Sequence, residues 1–380
     1  MEFLSNLPGA GLLSYAIPFL IVLTIVVFFH ELGHFLVARW NGVRVEAFSV
    51  GFGPELWGFN DRKGTRWRVS AIPLGGYVKF FGDANEASAP GMALANSMSE
   101  ADRAVSFVHK PVASRAAIVA AGPIANFILA IVIFAFSFML LGRVVTDPVI
   151  TSVQAESPAE QAGFAAGDLV RSIDGIDIQS FTDIPRLIAP NPGRELVFVV
   201  ERAGEELTIP ITPRLEERTD RFGNKQKIGF VGMANDSSEA NLRVVRSGPV
   251  EAVVEAVKET WFIISRTFAY LGDIITGRQS ADQLGGPLRI AKVSGDVATL
   301  GPGALINLAA LLSVSIGLLN LFPVPLLDGG HLVFYAIEAI RGRPLSDNAQ
   351  EIGFRIGFVI VMMLMVFATW NDVTQLFFSS

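Results

Sequence analysis

YAIPFLIVLTIVVFFHELGHFLV, residues Tyr15–Val37, is an apolar run with His30-Glu31-Leu32-Gly33-His34 near its end. About 20 apolar residues suffice for a helix to cross the hydrocarbon core of a bilayer, so the run reads as a membrane span. On a helix, residues four apart share a face, which lets His30 and His34 hold one zinc ion. Glu31 then sits where it can take a proton from an activated water. Paired helical histidines can also be hydrogen-bonded core residues. Inside a membrane span, however, a trio of ionisable side chains is expensive to insert and therefore points to function. The run lacks a basic leading segment and carries the candidate site, so it is not read as a cleaved signal peptide.

Composition agrees with a membrane protein: 51% of residues are hydrophobic and 17% charged, and mean hydropathy is +0.46. The formal charge of −6 and the lack of a basic tract give no sign of nucleic-acid binding. With 0 cysteines there are neither disulfides nor thiolate ligands, so a zinc ion would be held by His, Asp or Glu. The apolar runs predict four spans, at about 15–38, 114–141, 304–325 and 356–376. Val250–Leu271 carries Glu255, Lys258, Glu259 and Arg266 and reads as an amphipathic interfacial helix.

Lys and Arg orient the chain. Residues 1–38 have none, whereas the segment between the first two spans holds Arg39, Arg44, Arg62, Lys63, Arg66, Arg68, Lys79, Arg103, Lys110 and Arg115. Arg341, Arg343 and Arg355 precede the last span, and none follows Trp370. Positive residues favour the cytoplasmic side, which puts both termini and the long 143–303 segment outside the cytoplasm.

Within that segment, Val149 to Met233 changes to short β-rich runs such as Leu196–Val200 and Leu207–Ile211, separated by turn signals. Ser157-Pro158-Ala159-Glu160-Gln161-Ala162-Gly163-Phe164, then Gly167-Asp168-Leu169-Val170 and Ile173-Asp174-Gly175, resemble the core of a bacterial PDZ domain. Such domains bind extended peptides by adding a strand to a sheet edge. By that resemblance Ile228, Gly229, Phe230 and Val231 supply the peptide-binding edge, in a circularly permuted arrangement. The expected divisions are 1–142 for the first membrane part, 143–236 for the PDZ domain, 237–303 for an interfacial connection and 304–380 for the second membrane part.

A catalytic zinc takes three protein ligands and leaves a fourth position open. In Asn320-Leu321-Phe322-Pro323-Val324-Pro325-Leu326-Leu327-Asp328-Gly329-Gly330-His331 the candidates are Asp328 and His331, and periodicity does not choose between them. Pro323 and Pro325 break the span and the glycines let the backbone turn, which would bring Asp328 toward the cytoplasmic end of the first span.

These blocks together resemble the site-2 protease family of intramembrane zinc metalloproteases, in its bacterial RseP-like branch. Pro73–Phe80 is similar to the membrane-associated β-loop of that family, Gly122-Pro123-Ile124-Ala125-Asn126 to the opening of its second span, and Gly285-Gly286-Pro287 with Ile290-Ala291-Lys292 to the stretch before its third. One PDZ unit is read here, where some relatives have two.

The resemblance implies a polytopic α-helical membrane protein with about four transmembrane helices, a cytoplasmic-side membrane-associated β-loop and an inserted extracytoplasmic α+β PDZ domain. It selects Asp328 as the third zinc ligand beside His30 and His34, with His331 as a packed or hydrogen-bonding neighbour. Glu31 becomes the catalytic base, Asn320 a group that steadies substrate or oxyanion, and Gly75, Gly76, Tyr77 and Val78 the strand that holds an unwound substrate. The expected cofactor is Zn2+ and the expected location is the bacterial inner membrane. The expected partners are the lipid bilayer and single-span membrane proteins already trimmed by another protease, such as an anti-sigma factor or a remnant signal peptide. A metal transporter, or a peptide-binding scaffold with a structural zinc, is the alternative class. Against transport, no second string of intramembrane ligands marks a path.

Overall fold

A computed structural model describes residues 10–82, 98–219, 225–235, 243–277 and 285–377. The chain divides into two compact units, Met1–Ser137 with Val250–Ser380, and Phe138–Pro249. The expected PDZ boundary at residue 236 lies outside the described residues.

The first unit opens with α1 (Ala10–Trp40). The antiparallel hairpin of β1 (Val45–Asn60) and β2 (Arg66–Phe80) follows, then the short α2 (Glu100–Val105), a 3₁₀ turn at Phe107–His109 and α3 (Val112–Leu140). Ser99 caps α2, its hydroxyl accepting from the Asp102 N–H. The inner half of the hairpin buries Val45, Phe48, Val78 and Phe80 against Phe35 and Ala38 of α1 and Ile118 and Val119 of α3. Its outer half leaves Leu56, Trp57, Ile72 and Leu74 exposed.

After the second unit come α6 (Pro249–Ile275), α7 (Pro287–Ala298), α8 (Pro302–Asn320), α9 (Asp328–Arg341) and α10 (Asp347–Phe377). Val22 and Val26 of α1 pack on Ala309 of α8. Among the described residues, four helices are long and apolar enough to cross a membrane: α1, α3, α8 and α10. In α6, Ala252, Ala256 and Thr260 are buried while Val250, Val254, Val257 and Trp261 are exposed, so its small residues form the packed stripe.

The third span is shorter than its apolar run. Helix α8 ends at Asn320 rather than near 325, because Pro323 and Pro325 donate no backbone hydrogen bond and push their predecessors out of helical geometry. Residues 321–327 make a tight turn in which the non-glycine Leu326 takes φ 126°. Gly329 and Gly330 make that turn possible. A Cβ at 329 would lie 2.3 Å from the carbonyl oxygens of Leu321 and Phe322, and one at 330 would lie 2.4 Å from that of Val324.

The second unit contains β3 (Arg143–Val145), β4 (Ser152–Val153), α4 (Pro158–Gln161), β5 (Leu169–Ile173), β6 (Ile176–Asp177) and α5 (Asp183–Ile188). These are followed by β7 (Leu196–Arg202), β8 (Glu205–Ile211), β9 (Arg214–Thr219), β10 (Lys225–Phe230), β11 (Met233–Ala234) and β12 (Arg243–Val245). Strands β6-β5-β7-β8 form an antiparallel sheet, and β9–β10, β4–β11 and β3–β12 pair separately. Strand β7 alternates as a half-buried strand should, burying Leu196, Phe198 and Val200. Pairing of β3 with β12 brings the two ends of this unit side by side, as befits an insertion into another domain.

Candidate metal centre

The apolar sequence of α1 carries His30 and His34 on one face, and both rings are 8% exposed. Helix α3 approaches that face through its small residues. A Cβ at Gly122 would lie 2.3 Å from His34 Nε2 and 2.9 Å from His30 Cε1, so only glycine leaves room for the two rings. On the α1 side, a Cβ at Gly33 would lie 2.3 Å from the Ala121 carbonyl oxygen. The turn after α8 then delivers Asp328, the first residue of α9.

Three ligand atoms meet. His30 Nε2 and His34 Nε2 are 3.2 Å apart, and Asp328 Oδ2 lies 3.1 Å from the former and 3.6 Å from the latter. Zinc bonds of about 2.0–2.1 Å at tetrahedral angles require ligand atoms roughly 3.3 Å apart. The triangle therefore has the dimensions of one face of a zinc tetrahedron, and His30, His34 and Asp328 could hold the ion together. The tautomer of His34 suits it: its Nδ1 donates to the Ile118 carbonyl oxygen at 2.9 Å, which leaves the Nε2 lone pair facing the centre.

Glu31, Gly76, Tyr77, Val78, Asn320 and His331 line the same cavity as the three candidate ligands, together with Leu326, Leu327 and Tyr335. Strand β2 runs against α1 here, since a Cβ at Gly76 would lie 3.1 Å from Glu31 Cγ. Gly75 lies apart from the cavity wall. Its φ of 136° and its close approach to the Phe52 ring, 2.4 Å from a would-be Cβ, give it a backbone role in the hairpin. His331 packs its ring on Phe354 at 5.4 Å, and the ligand triangle closes without it.

In the second unit, Ile228, Gly229 and Phe230 lie in β10 and Val231 follows it. The Gly229 N–H donates to the Ala189 carbonyl at 2.8 Å, and a Cβ at 229 would meet the Ile188 carbonyl oxygen at 2.3 Å. At Gly229 the expected peptide-binding edge is thus already bonded to the end of α5.

Ile118, Gly122 and Asn126 complete the surroundings of the two histidines, and sequence reading had given none of them a role. Their spacing of four residues was the available signal, since it places all three on one face of α3. What that face meets is set only by tertiary packing.

Comparison with known proteins fits this centre. Residues 18–364 match Peptidase family M50. A protein of Agrobacterium fabrum with a provisional zinc-metalloprotease name is 55% identical, the alignment covering 96% of this chain and 97% of that one. A similarly named protein of Rhizobium meliloti is 51% identical over 96% and 98% of the two chains. Metalloprotease MmpA of Caulobacter vibrioides is 41% identical over 96% of each. A PDZ domain of an SdrC-like protein from Listeria monocytogenes aligns with 23% of this chain and 90% of its own at 24% identity, with a TM-score of 0.18, too low to bear on the fold. The family match over nearly the whole length, joined to the four apolar helices, makes this chain a multi-pass membrane zinc metalloprotease of peptidase family M50, the site-2 protease family.

Proposed function

We propose that the protein is an intramembrane endopeptidase that hydrolyses peptide bonds in or near the transmembrane segments of single-span membrane proteins. The observation that carries this reading is the meeting of His30, His34, Asp328 and Glu31 beside β2 in a unit built from apolar helices. His30, His34 and Asp328 hold zinc in this reading. The ion supplies a Lewis acid that polarises a carbonyl and makes water acidic enough to attack near neutral pH. Glu31 takes the proton from the attacking water and hands it to the leaving amine. Asn320, with both a donor and an acceptor, orients the substrate backbone or the oxyanion.

The strand in the cavity wall, Gly76, Tyr77 and Val78, argues for an unwound substrate. The hairpin has only two strands among the described residues, and the stretch Gly75–Val78 offers β2 as a template on which an extended segment pairs. The exposed Leu56, Trp57, Ile72 and Leu74 suit a hairpin tip that dips into lipid.

In the same reading both termini and the second unit are extracytoplasmic, and the metal centre opens toward the cytoplasmic side of a bacterial inner membrane. The second unit is a single PDZ domain that acts as a size or end filter. It passes substrates already trimmed by another protease, in regulated intramembrane proteolysis of anti-sigma-factor-like proteins or remnant signal peptides. Membership of a peptidase family supports proteolysis over transport or a scaffold with structural zinc.

The test is cleavage of a panel of trimmed single-span substrates by purified protein in detergent, wild type against Glu31→Gln at matched zinc content. Loss of a general base removes about 10²–10⁴-fold in rate, so the variant is expected to keep zinc and lose cleavage. Cleavage that survives the substitution would remove Glu31 from the mechanism.

A further inference from the structure

The two histidines are held differently on the side away from the centre. His34 Nδ1 faces a backbone carbonyl, which only accepts, so its tautomer is fixed. His30 Nδ1 faces the side-chain amide of Asn126 instead, with Nδ2 at 3.2 Å. Asn126 is 0% exposed, and its Oδ1 has no hydrogen-bond partner among the described residues. Its backbone carbonyl accepts from Ser313 Oγ at 2.8 Å, which ties the residue to α8.

The amide thus lies within hydrogen-bonding distance of Nδ1, while Nε2 faces Asp328 Oδ2 at 3.1 Å and His34 Nε2 at 3.2 Å. A ligand role for Nε2 requires the proton on Nδ1, and a protonated Nδ1 needs an acceptor. Half a turn of the amide supplies it, because Oδ1 then takes the place of Nδ2.

We infer that Asn126 is a positioning residue for His30: its side-chain amide, turned so that Oδ1 accepts from Nδ1–H, leaves the Nε2 lone pair to bind zinc. A backbone carbonyl does the same for His34. Each histidine is thus oriented from its far side by α3, one through a backbone carbonyl and the other through a fully buried side chain. This rests on the proposed ligand role of His30.

The experiment is zinc affinity of the full chain in detergent at neutral pH, by competition with a chromophoric chelator, for wild type, Asn126→Leu, Asn126→Asp and His34→Ala. Loss of a group that orients a metal ligand weakens binding about 10–100-fold, which is the expectation for Asn126→Leu. Asn126→Asp offers only acceptors, so it is expected to bind zinc within about 3-fold of wild type or more tightly. Wild-type affinity in Asn126→Leu, or a fall in Asn126→Asp of 10-fold or more, overturns the inference. If Asn126→Leu does not fold, Asn126→Asp decides alone. Zinc that is bound by wild type and lost in His34→Ala while both Asn126 variants bind normally defeats only this inference. A wild-type protein whose zinc is unaffected by His34→Ala defeats the ligand assignment, and this inference with it.

Discussion

In the membrane unit a connected series of buried polar groups joins α8, α3, α1 and α9. Ser313 reaches Asn126, Asn126 reaches His30, and His30 reaches His34 and Asp328. In the inserted unit they stay local: Ser157 caps α4, Ser180 Oγ accepts the Thr146 N–H, and Asn191 Nδ2 donates to the Leu187 carbonyl. Asp168 accepts from the Ala165 N–H and from Arg202. The difference follows from the solvent each unit meets. A strand-and-turn domain must satisfy backbone groups wherever its chain reverses. Helices in lipid satisfy their own backbone, so a side chain that stays polar there is kept for another purpose. Buried polarity marks turns in one unit and, where α1, α3 and α8 meet, the reaction centre in the other; away from that centre Asp372 of α10 accepts from the Gly286 and Arg289 N–H groups at the start of α7.

The sharpest way to break that contrast is Gly122→Ala. The added methyl would sit 2.3 Å from His34 Nε2, and α3 has little room to withdraw, because Gly317 of α8 already packs on Pro123 and Asn126 from another side. Zinc affinity is expected to fall by about 100-fold or more, the upper end of what loss of ligand support costs, and cleavage with it. Backbone hydrogen exchange in β5 and β7 should not change. Normal zinc binding in this variant would mean that the close helix approach does not form around the histidines.

How much of this was legible beforehand follows the same division. His30, Glu31 and His34 declare themselves because their spacing lies within one helix. Asp328 required the family resemblance, since only a tertiary turn decides that it, and not His331, reaches α1. The roles of Gly122, Asn126 and the Ile118 carbonyl could not be read, because they depend on which face of α3 meets α1. The end of α8 is hidden for a related reason: the apolar run continues past Asn320, while Pro323 and Pro325 end the helix. In the insert, the alternation of β7 was plain, but the contact between Gly229 and the end of α5 joins residues about forty positions apart and leaves no local trace.

The converse substitution is Asp168→Asn, which keeps the side-chain shape and removes its charge. Arg202 donates to the carboxylate at 2.6 Å through Nε and at 2.8 Å through Nη2. Hydrogen bonds to charged groups contribute about 1.5–3 kcal/mol. Local stability of β5 and β7 is expected to fall by about that amount, read by hydrogen exchange in the full chain, with zinc affinity unaltered. A parallel loss of zinc would show that the two units do not hold their polar groups independently.

The smallest effect is one of pH, and it separates the units by place. Burial pushes the Asp168 carboxyl up, but the Arg202 hydrogen bonds and the Ala165 N–H outweigh it and hold the group below the usual carboxylate range. An unfolded Asp titrates near 3.9. A group whose folded pKa is depressed adds stability that is fully present above the unfolded value and lost as pH falls from there through the folded one. Exchange protection in β5 and β7, corrected for intrinsic rates, should therefore decline from about pH 4 downward more steeply in wild type than in Asp168→Asn. Zinc loss from the other unit on acidification, as protons compete for its ligands, should follow a separate curve that Asp168→Asn does not move. If both losses followed one curve, and Asp168→Asn moved that curve as a whole, the buried carboxylate would belong to a single cooperative structure, and the contrast between local and convergent polarity would fail.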